Sequence, residues 1–202
     1  MGWRAVLFSL AAVAMIAAQA HAAEYPTRPI KLVVPYASGG VPDVLARTLG
    51  QRMTESMGQQ VIVENRGGGA GIAAVVSVAK APADGYTLLV ADASQTAINP
   101  QLFKDLPYDT LRDLAPVSIA VTTVIFVAAN TSVPITSFGD MVSYAKANPG
   151  KLSYGSAGVA SVHHIAMEVI KASLGLDIVH VPYKGSGQSV PAFVAGDVQI
   201  VL

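Results

Sequence analysis

From residue 30 to residue 202, short runs of β-branched and apolar residues alternate with small-residue stretches whose apolar positions recur at helical spacing. This alternation constrains the fold more than any other feature. Strands separated by helices pair in parallel, and a parallel sheet needs helices on both faces. Residues 30–35 (IKLVVP), 60–64 (QVIVE) and 86–91 (YTLLVA) read as three strands, with helices predicted over 41–57 and 70–81. Gly58 closes the first helix, because the residue just past a helix end adopts a left-handed conformation that glycine enters freely.

The rhythm breaks between residues 98 and 129. Asn-Pro and Leu-Pro-Tyr-Asp turns precede two apolar runs, 117–121 and 124–129, which sit almost end to end. Strands so close cannot be joined by a crossover helix, so the sequence predicts an interdomain hinge, with a first α/β domain over residues 23–122 and a second over 123–202. Helices are then expected over 138–147, 162–174 and 188–195, and strands over 152–154 and 178–181. The apolar residues 198–202 read as a further strand. With nothing after it, that strand predicts an open sheet edge and an incomplete second domain.

The amino terminus carries an address. Arg4 precedes an apolar run over residues 5–18, and Ala20, His21 and Ala22 form a small-residue cleavage site before Ala23. Such an order reads as a secretory signal over residues 1–22, and the run is too short to span a bilayer comfortably. The mature protein is therefore expected in the periplasm, not spanning the membrane. Thirteen basic and thirteen acidic residues balance, so a nucleic acid has nothing to hold. Cysteine is absent, so export brings no disulfides and a hydrophobic core must stabilise the fold.

Chemistry is most legible where strands hand over to helices. Tyr36, Ala37, Ser38, Gly39 and Gly40, with Asp43, join the first strand to the first helix, where glycine lets amides approach an anion and the helix dipole favours negative charge. Ser38 and Asp43 equally suit a plain helix cap. Ser94, Gln95 and Thr96 end the third strand, and Ser156, Gly158, Val159, Ala160 and Ser161 end a strand of the second half. Loops at the carboxyl ends of parallel strands line the crevice where open α/β sheets bind ligands. Three of them facing one another would grip a small anion.

Other chemistries fit less well. His163 and His164 point about 100° apart on a helix and have no companions at ligand spacing, so no metal is expected. Gly155 to Gly158 lacks the spacing of a nucleophile elbow, and no catalytic residue is assigned. Gly69, Ala70, Gly71 and the following alanines fit G-x-G-x-x-A, with Asp92 near the place of a ribose ligand, so an exported enzyme with a dinucleotide-like loop is the rival reading. The lead-in over 64–68 is too long for a tight first turn, and export separates the protein from nicotinamide cofactors. A glycine-rich loop feeding a packed helix accounts for the pattern, and no cofactor is expected.

The segments YPTRPI (25–30), VPYASGG (34–40), VENR (63–66), ADGYTLL (83–89), LPYD (106–109), PGKL (149–152) and HVPYKG (180–185) occur in order along the mature chain. Together they resemble the Bug family, the extracytoplasmic receptors of tripartite tricarboxylate transporters. The resemblance implies a periplasmic-binding-protein-like fold of type II: two βα domains around a ligand cleft, closing on a small carboxylate for delivery to membrane permease subunits. It implies ligand contacts at Tyr36, Ala37, Ser38, Gly39, Gly40, Asp43, Ser94, Gln95 and Thr96 in the first domain. In the second it implies Ser156, Gly158, Val159, Ala160, Ser161 and His164, with Lys184 a rim cation or a solvated turn lysine. Val41 and Pro42 depart from the small polar residues usual there, and members of the family continue well past residue 200.

Overall fold

The computed structural model describes residues 25–202; the expected signal, residues 1–22, lies outside the described residues. Two sheets organise it. In the first, β1 (Ile30–Val34) lies between β2 (Val61–Asn65) and β3 (Thr87–Leu89), and both pairings are parallel. Leu32 stands opposite both Val63 and Leu88. As the middle strand of a sheet covered on both faces, β1 is buried throughout except at Lys31, whose ammonium pairs with Glu64 at 2.9 Å.

Helix α1 (Val41–Met57) starts with Pro42 in its first turn, where a missing N–H costs nothing. It stops at Gly58, whose φ of 68° directs its N–H to the Thr54 carbonyl. Gly50 lets this helix lie close to β2, since a Cβ there would stand 3.2 Å from Val61 Cγ1. Helix α2 (Ile72–Ala79) begins later than predicted. Gly68, Gly69, Ala70 and Gly71 all have positive φ, which breaks the α-helical backbone and leaves a single 3-10 turn at Gly69–Gly71. After β3 a π-helical turn, Ser94–Ile98, leads into α3 (Asn99–Leu102), and α4 (Thr110–Asp113) is capped by the Asp109 carboxylate.

The second sheet runs β4 (Ala128–Ala129), β7 (Ile200–Val201), β5 (Ser153–Ser156), β6 (Val179–Pro182). The last three are parallel, and β4 is antiparallel to β7. Around it lie α5 (Phe138–Ala147), α6 (Val162–Leu174) and α7 (Ser186–Ala195). Ser137 and Ser161 cap α5 and α6 by accepting the N–H groups of Asp140 and His164. Met141 and Met167 close the core over Leu152, Tyr154, Ile178 and Ile200.

Two expectations require correction. Residues 117–127 form no strand among the described residues: Val117, Ile119 and Phe126 are 82%, 83% and 75% exposed, and only Ala128–Ala129 joins a ladder. β-branched composition favours a pleated surface, but a strand exists only where a neighbour takes its hydrogen bonds. The last strand is not an open edge either. β4 pairs with one side of β7 and β5 with the other, so both of its edges are engaged. No described helix is long and apolar enough to cross a membrane.

Candidate functional site

The segments that follow the carboxyl ends of β1, β2, β3, β5 and β6 converge on a cavity of about 260 Å³. Open α/β sheets present their ligand crevice at this end of the strands, because the strands stop there and loop amides and helix starts are exposed.

Tyr36 forms the floor on the first-sheet side. Its hydroxyl donates to Asp92 Oδ2 at 2.8 Å, lies 3.1 Å from Ser94 Oγ, and accepts from Gln95 Nε2 at 3.2 Å. Burial, then the Asp92 charge, push the phenol well above its usual range and keep it protonated. Asp92 also accepts the Ser94 N–H at 2.7 Å, so the carboxylate that the dinucleotide reading assigned to a ribose is already engaged. Ser94 Oγ reaches the other side and accepts the Val162 N–H, the first amide of α6, at 3.0 Å. A second bridge runs from Ala37 N–H to the Lys184 carbonyl at 2.8 Å.

The opposite wall is built on Ser156, which is fully buried. Its Oγ accepts the Gly158 N–H at 3.1 Å and lies 2.7 Å from His180 Nε2. His180 is sandwiched, with its ring centroid 4.7 Å from Tyr154 and 4.2 Å from His164. Burial, then the neighbouring His164, pull the His180 imidazole down to about 4. His164 Nδ1 accepts the Ala160 N–H at 3.3 Å. Beneath, Glu168 accepts from the Tyr154 hydroxyl and the Lys171 ammonium, both at 2.7 Å. On the other flank of α6, burial lowers His163 while the Asp92 charge opposes, and its Nδ1 has no hydrogen-bond partner among the described residues.

The chemistry available is that of neutral donors and one cation. Glycine amides, hydroxyls, the Gln95 amide and the Lys184 side chain surround the cavity, and the N–H groups of Val159 and His163 make no hydrogen bond among the described residues. Ser156 and His180 stand at the separation of a nucleophile and its base. Yet Ser156 does not line the cavity and its hydroxyl is engaged by the loop backbone, so it is placed to shape the wall. Among the described residues no three His, Cys, Asp or Glu side chains are grouped to hold a metal ion.

Of the residues singled out in the sequence, Tyr36, Ser94, Gln95, Gly158, Val159, Ser161 and Lys184 line the cavity. Thr96 stands outside it and donates to the Asp92 carbonyl. Ala37, Ser38, Gly39 and Gly40 do not line it; this loop abuts the start of α7, where a Cβ on Gly40 would lie 2.6 Å from Ser186 Oγ. Asp43 turns back on its own helix, accepting the Gly39 N–H at 2.9 Å and Arg47 Nε at 3.1 Å. Burial opposes its ionisation, but Arg47 and the Gly39 amide outweigh this and hold the carboxyl below its usual range. The anion at the α1 entrance is thus the chain's own. Ala160 and His164 stand behind the wall with Ser156.

Gly68, Gly69, Ala70 and Gly71, which the sequence assigns to a loop feeding a packed helix rather than to the site, close the cavity on the β2 side, and Ala157, Pro182 and Tyr183 close it on the other. The glycine run offered a signal, since it follows a strand as the other three loops do. At Gly71, φ is 73° and a Cβ would lie 2.7 Å from Pro35 Cβ and 3.1 Å from Gln95 Nε2. A side chain there collides with the floor.

The model of the tripartite tricarboxylate transporter family receptor matches residues 45–202. A UPF0065 protein of Bordetella pertussis is 40% identical over 191 residues, covering 94% of this chain and 58% of the relative. Protein BugT of the same organism is 36% identical over 193 residues, covering 95% and 59%. Among solved structures, an R. palustris protein with adipate superposes with a TM-score of 0.80 at 37% identity, covering 87% of this chain and 59% of that one. MatC from Rhodopseudomonas palustris with bound malate gives 0.81 at 30%, covering 87% and 60%. The chain spans somewhat over half the length of these relatives. It belongs to the tripartite tricarboxylate transporter receptor family.

Proposed function

We propose that this chain is the receptor portion of a periplasmic solute-binding protein that captures a small carboxylate and passes it, chemically unchanged, to the permease subunits of a tripartite tricarboxylate-type transporter. In this reading residues 1–22 direct export, and residues 23–122 and 123–202 supply the two walls of the cleft. One observation carries it: loops from both sheets close a cavity of about 260 Å³ whose polar groups are amides, hydroxyls and one lysine. Such a lining complements an anion. The volume suits a short dicarboxylate with some water. That relatives were solved with adipate and with malate supports the substrate class.

Within the site, Lys184 supplies the charge, the Val159 amide with Ser94, Gln95 and Ser161 supplies directional donors, and Gly158, its N–H held by Ser156 Oγ, lines the wall. The Ala37 to Gly40 loop serves the contact between the two sides, while Asp43 closes the start of its own helix and Thr96 its own loop. Ser156, Ala160 and His164 support the wall from behind. Titration calorimetry of the full chain with mono-, di- and tricarboxylates, using adipate and malate as first probes, tests the reading. Micromolar binding of at least one carboxylate is expected. Absence of heat with all of them, or turnover of an ester or a nicotinamide, would refute it.

A further inference from the structure

The cavity wall formed by residues 157–161 is not held by regular structure, since β5 ends at Ser156 and α6 begins at Val162. Two of its backbone positions are demanding. Gly158 has a φ of 127°, and a Cβ there would lie 2.9 Å from the Tyr183 carbonyl. Ala160 has a φ of 64°, a left-handed conformation that costs a non-glycine residue roughly 1 kcal/mol or more. Fully buried, it cannot turn its N–H to water. Each strained position is tied by one amide. Gly158 N–H goes to Ser156 Oγ, which lies 2.7 Å from His180, and Ala160 N–H goes to His164 Nδ1. The two imidazoles stack on each other, 4.2 Å apart and 23° from coplanar.

We propose that His164 and His180 are positioning residues: as a stacked, neutral pair they fix the Ser156 to Ser161 loop, and so the donors it presents to an anion, without touching the ligand. The proposal rests on the carboxylate-binding reading only for its effect on affinity; the effect on the loop does not depend on it.

The protonation state follows from the contacts. To accept the Ala160 N–H, His164 Nδ1 must carry a lone pair, so its proton sits on Nε2. A proton added to Nδ1 would face the Ala160 N–H hydrogen to hydrogen and expel it. His180 resists a charge for a related reason, because its faces are covered by Tyr154 and His164. The groups facing the pair are Tyr154 and Ser156 from β5, and Glu168 and Lys171 from α6. Tyr154 stays protonated through burial and its bond to Glu168. Glu168 Oε1 is shared between Tyr154 and Lys171, and the Lys171 ammonium offsets the pull of the carboxylate on an imidazolium. Burial lowers His164 itself, with Glu168 opposing and Lys171 assisting. Both rings are neutral at pH 7, and acid breaks the tie.

Substitutions separate these effects. Asn places Oδ1 near the position of Nδ1 and does not titrate, so His164→Asn keeps the acceptor. His164→Phe keeps a ring in the stack and removes it. For His180 the matching pair is Gln, which retains a polar atom near Nε2, and Phe. The first measurement needs no ligand: amide resonances of Gly158 and Ala160 in the full chain, followed with the histidine ring signals from pH 7.5 to 4. Both amides should shift with the midpoint of a stacked histidine in the wild type; the Ala160 shift should vanish in His164→Asn and the Gly158 shift in His180→Gln. The second measurement is affinity for adipate and malate over the same range. Ligand protonation is common to all proteins, so the wild-type to variant ratio isolates the protein's part. His164→Phe should bind at least 10-fold more weakly at pH 7.5, while His164→Asn loses much less and keeps more of its affinity in acid than the wild type does.

Gly158 and Ala160 amides that ignore the histidine titration would overturn the proposal. So would equal losses in His164→Asn and His164→Phe, which would mark His164 as a ligand contact or a core residue. If a Phe variant fails to fold, the wild-type and Asn titrations still decide. If no carboxylate binds at any pH, the transport reading fails, and the ligand-free amide shifts still test the pair.

Discussion

Ser94 Oγ accepts the Val162 N–H at 3.0 Å, so a hydroxyl from the loop after β3 caps the first amide of α6 on the opposite wall. The same oxygen lies 3.1 Å from the Tyr36 hydroxyl, and Ser94 is almost fully buried. One side chain thereby links the cavity floor to the helix that starts the other wall. It also occupies part of the positive end of α6, which leaves the His163 N–H as that helix's open donor.

Replacing Ser94 with Ala leaves the part-buried Val162 N–H without its partner. The expected loss is about 1–3 kcal/mol of stability, the usual cost of a buried donor without a partner. Urea unfolding followed by circular dichroism measures it, and a change below about 0.3 kcal/mol would mean that water replaces the hydroxyl at no loss.

Gly71→Ala tests the glycine wall. The new methyl must adopt a φ of 73° and meet Pro35 Cβ at 2.7 Å, a contact that real Cβ atoms do not make. Destabilisation on the order of 1–3 kcal/mol is expected, as for overpacked cores. Gly69→Ala provides the control: its φ is also positive, at 54°, but a Cβ there meets nothing within 4 Å, so only the backbone cost of about 1 kcal/mol applies.

Lys184→Met removes the positive charge at the cavity and retains much of the stem. Dicarboxylate affinity should fall by about 10-fold, equivalent to about 1.4 kcal/mol, and become less sensitive to salt. Calorimetry at two ionic strengths reads both effects. Unaltered affinity would assign recognition to amides and hydroxyls alone.

Acid should destabilise the protein in two steps. His163, His164 and His180 are all lowered by burial, His180 to about 4. Between about pH 6.5, where an unfolded histidine takes up its proton, and about 4, the unfolded state binds more protons than the folded one, so stability falls as pH falls. Below that, Asp43, Glu64 and Glu168, whose folded carboxyls lie under their usual range, lose their stabilising charge in the same direction. Urea midpoints at pH 7.5, 5.5 and 4.5 should descend in that order. His163→Leu should flatten the first step.

Residues 117–127 expose Val117, Ile119, Val124 and Phe126 along one extended segment. An apolar patch of this kind favours association, and Ile119→Ser with Phe126→Ser should lower the light scattering of concentrated protein without lowering its melting temperature. A parallel loss of melting temperature would show that the segment packs in solution.

Local rules account for what the sequence determined. Helices 41–57, 138–147 and 162–174 coincide with α1, α5 and α6, because their caps are short-range devices: Gly58, Ser137, Ser161 and Gly175 act on backbone within one turn. Seven of the residues singled out line the cavity for a similar reason: they stand in loops just past strand ends, which the strand pattern locates. Tertiary structure alone decided the rest. Residues 117–127 and 198–202 have the same β-branched character, yet only Ile200–Val201 lies between two strands that accept its hydrogen bonds. Asp43 and the glycines at 68–71 exchanged the roles the sequence suggested, one closing its own helix and the others walling the cavity. His164 and His180 lie on different elements, and no spacing rule brings them together. Their contact exists because α6 and β6 both pack on β5, and burial in that packing is what makes the pair neutral.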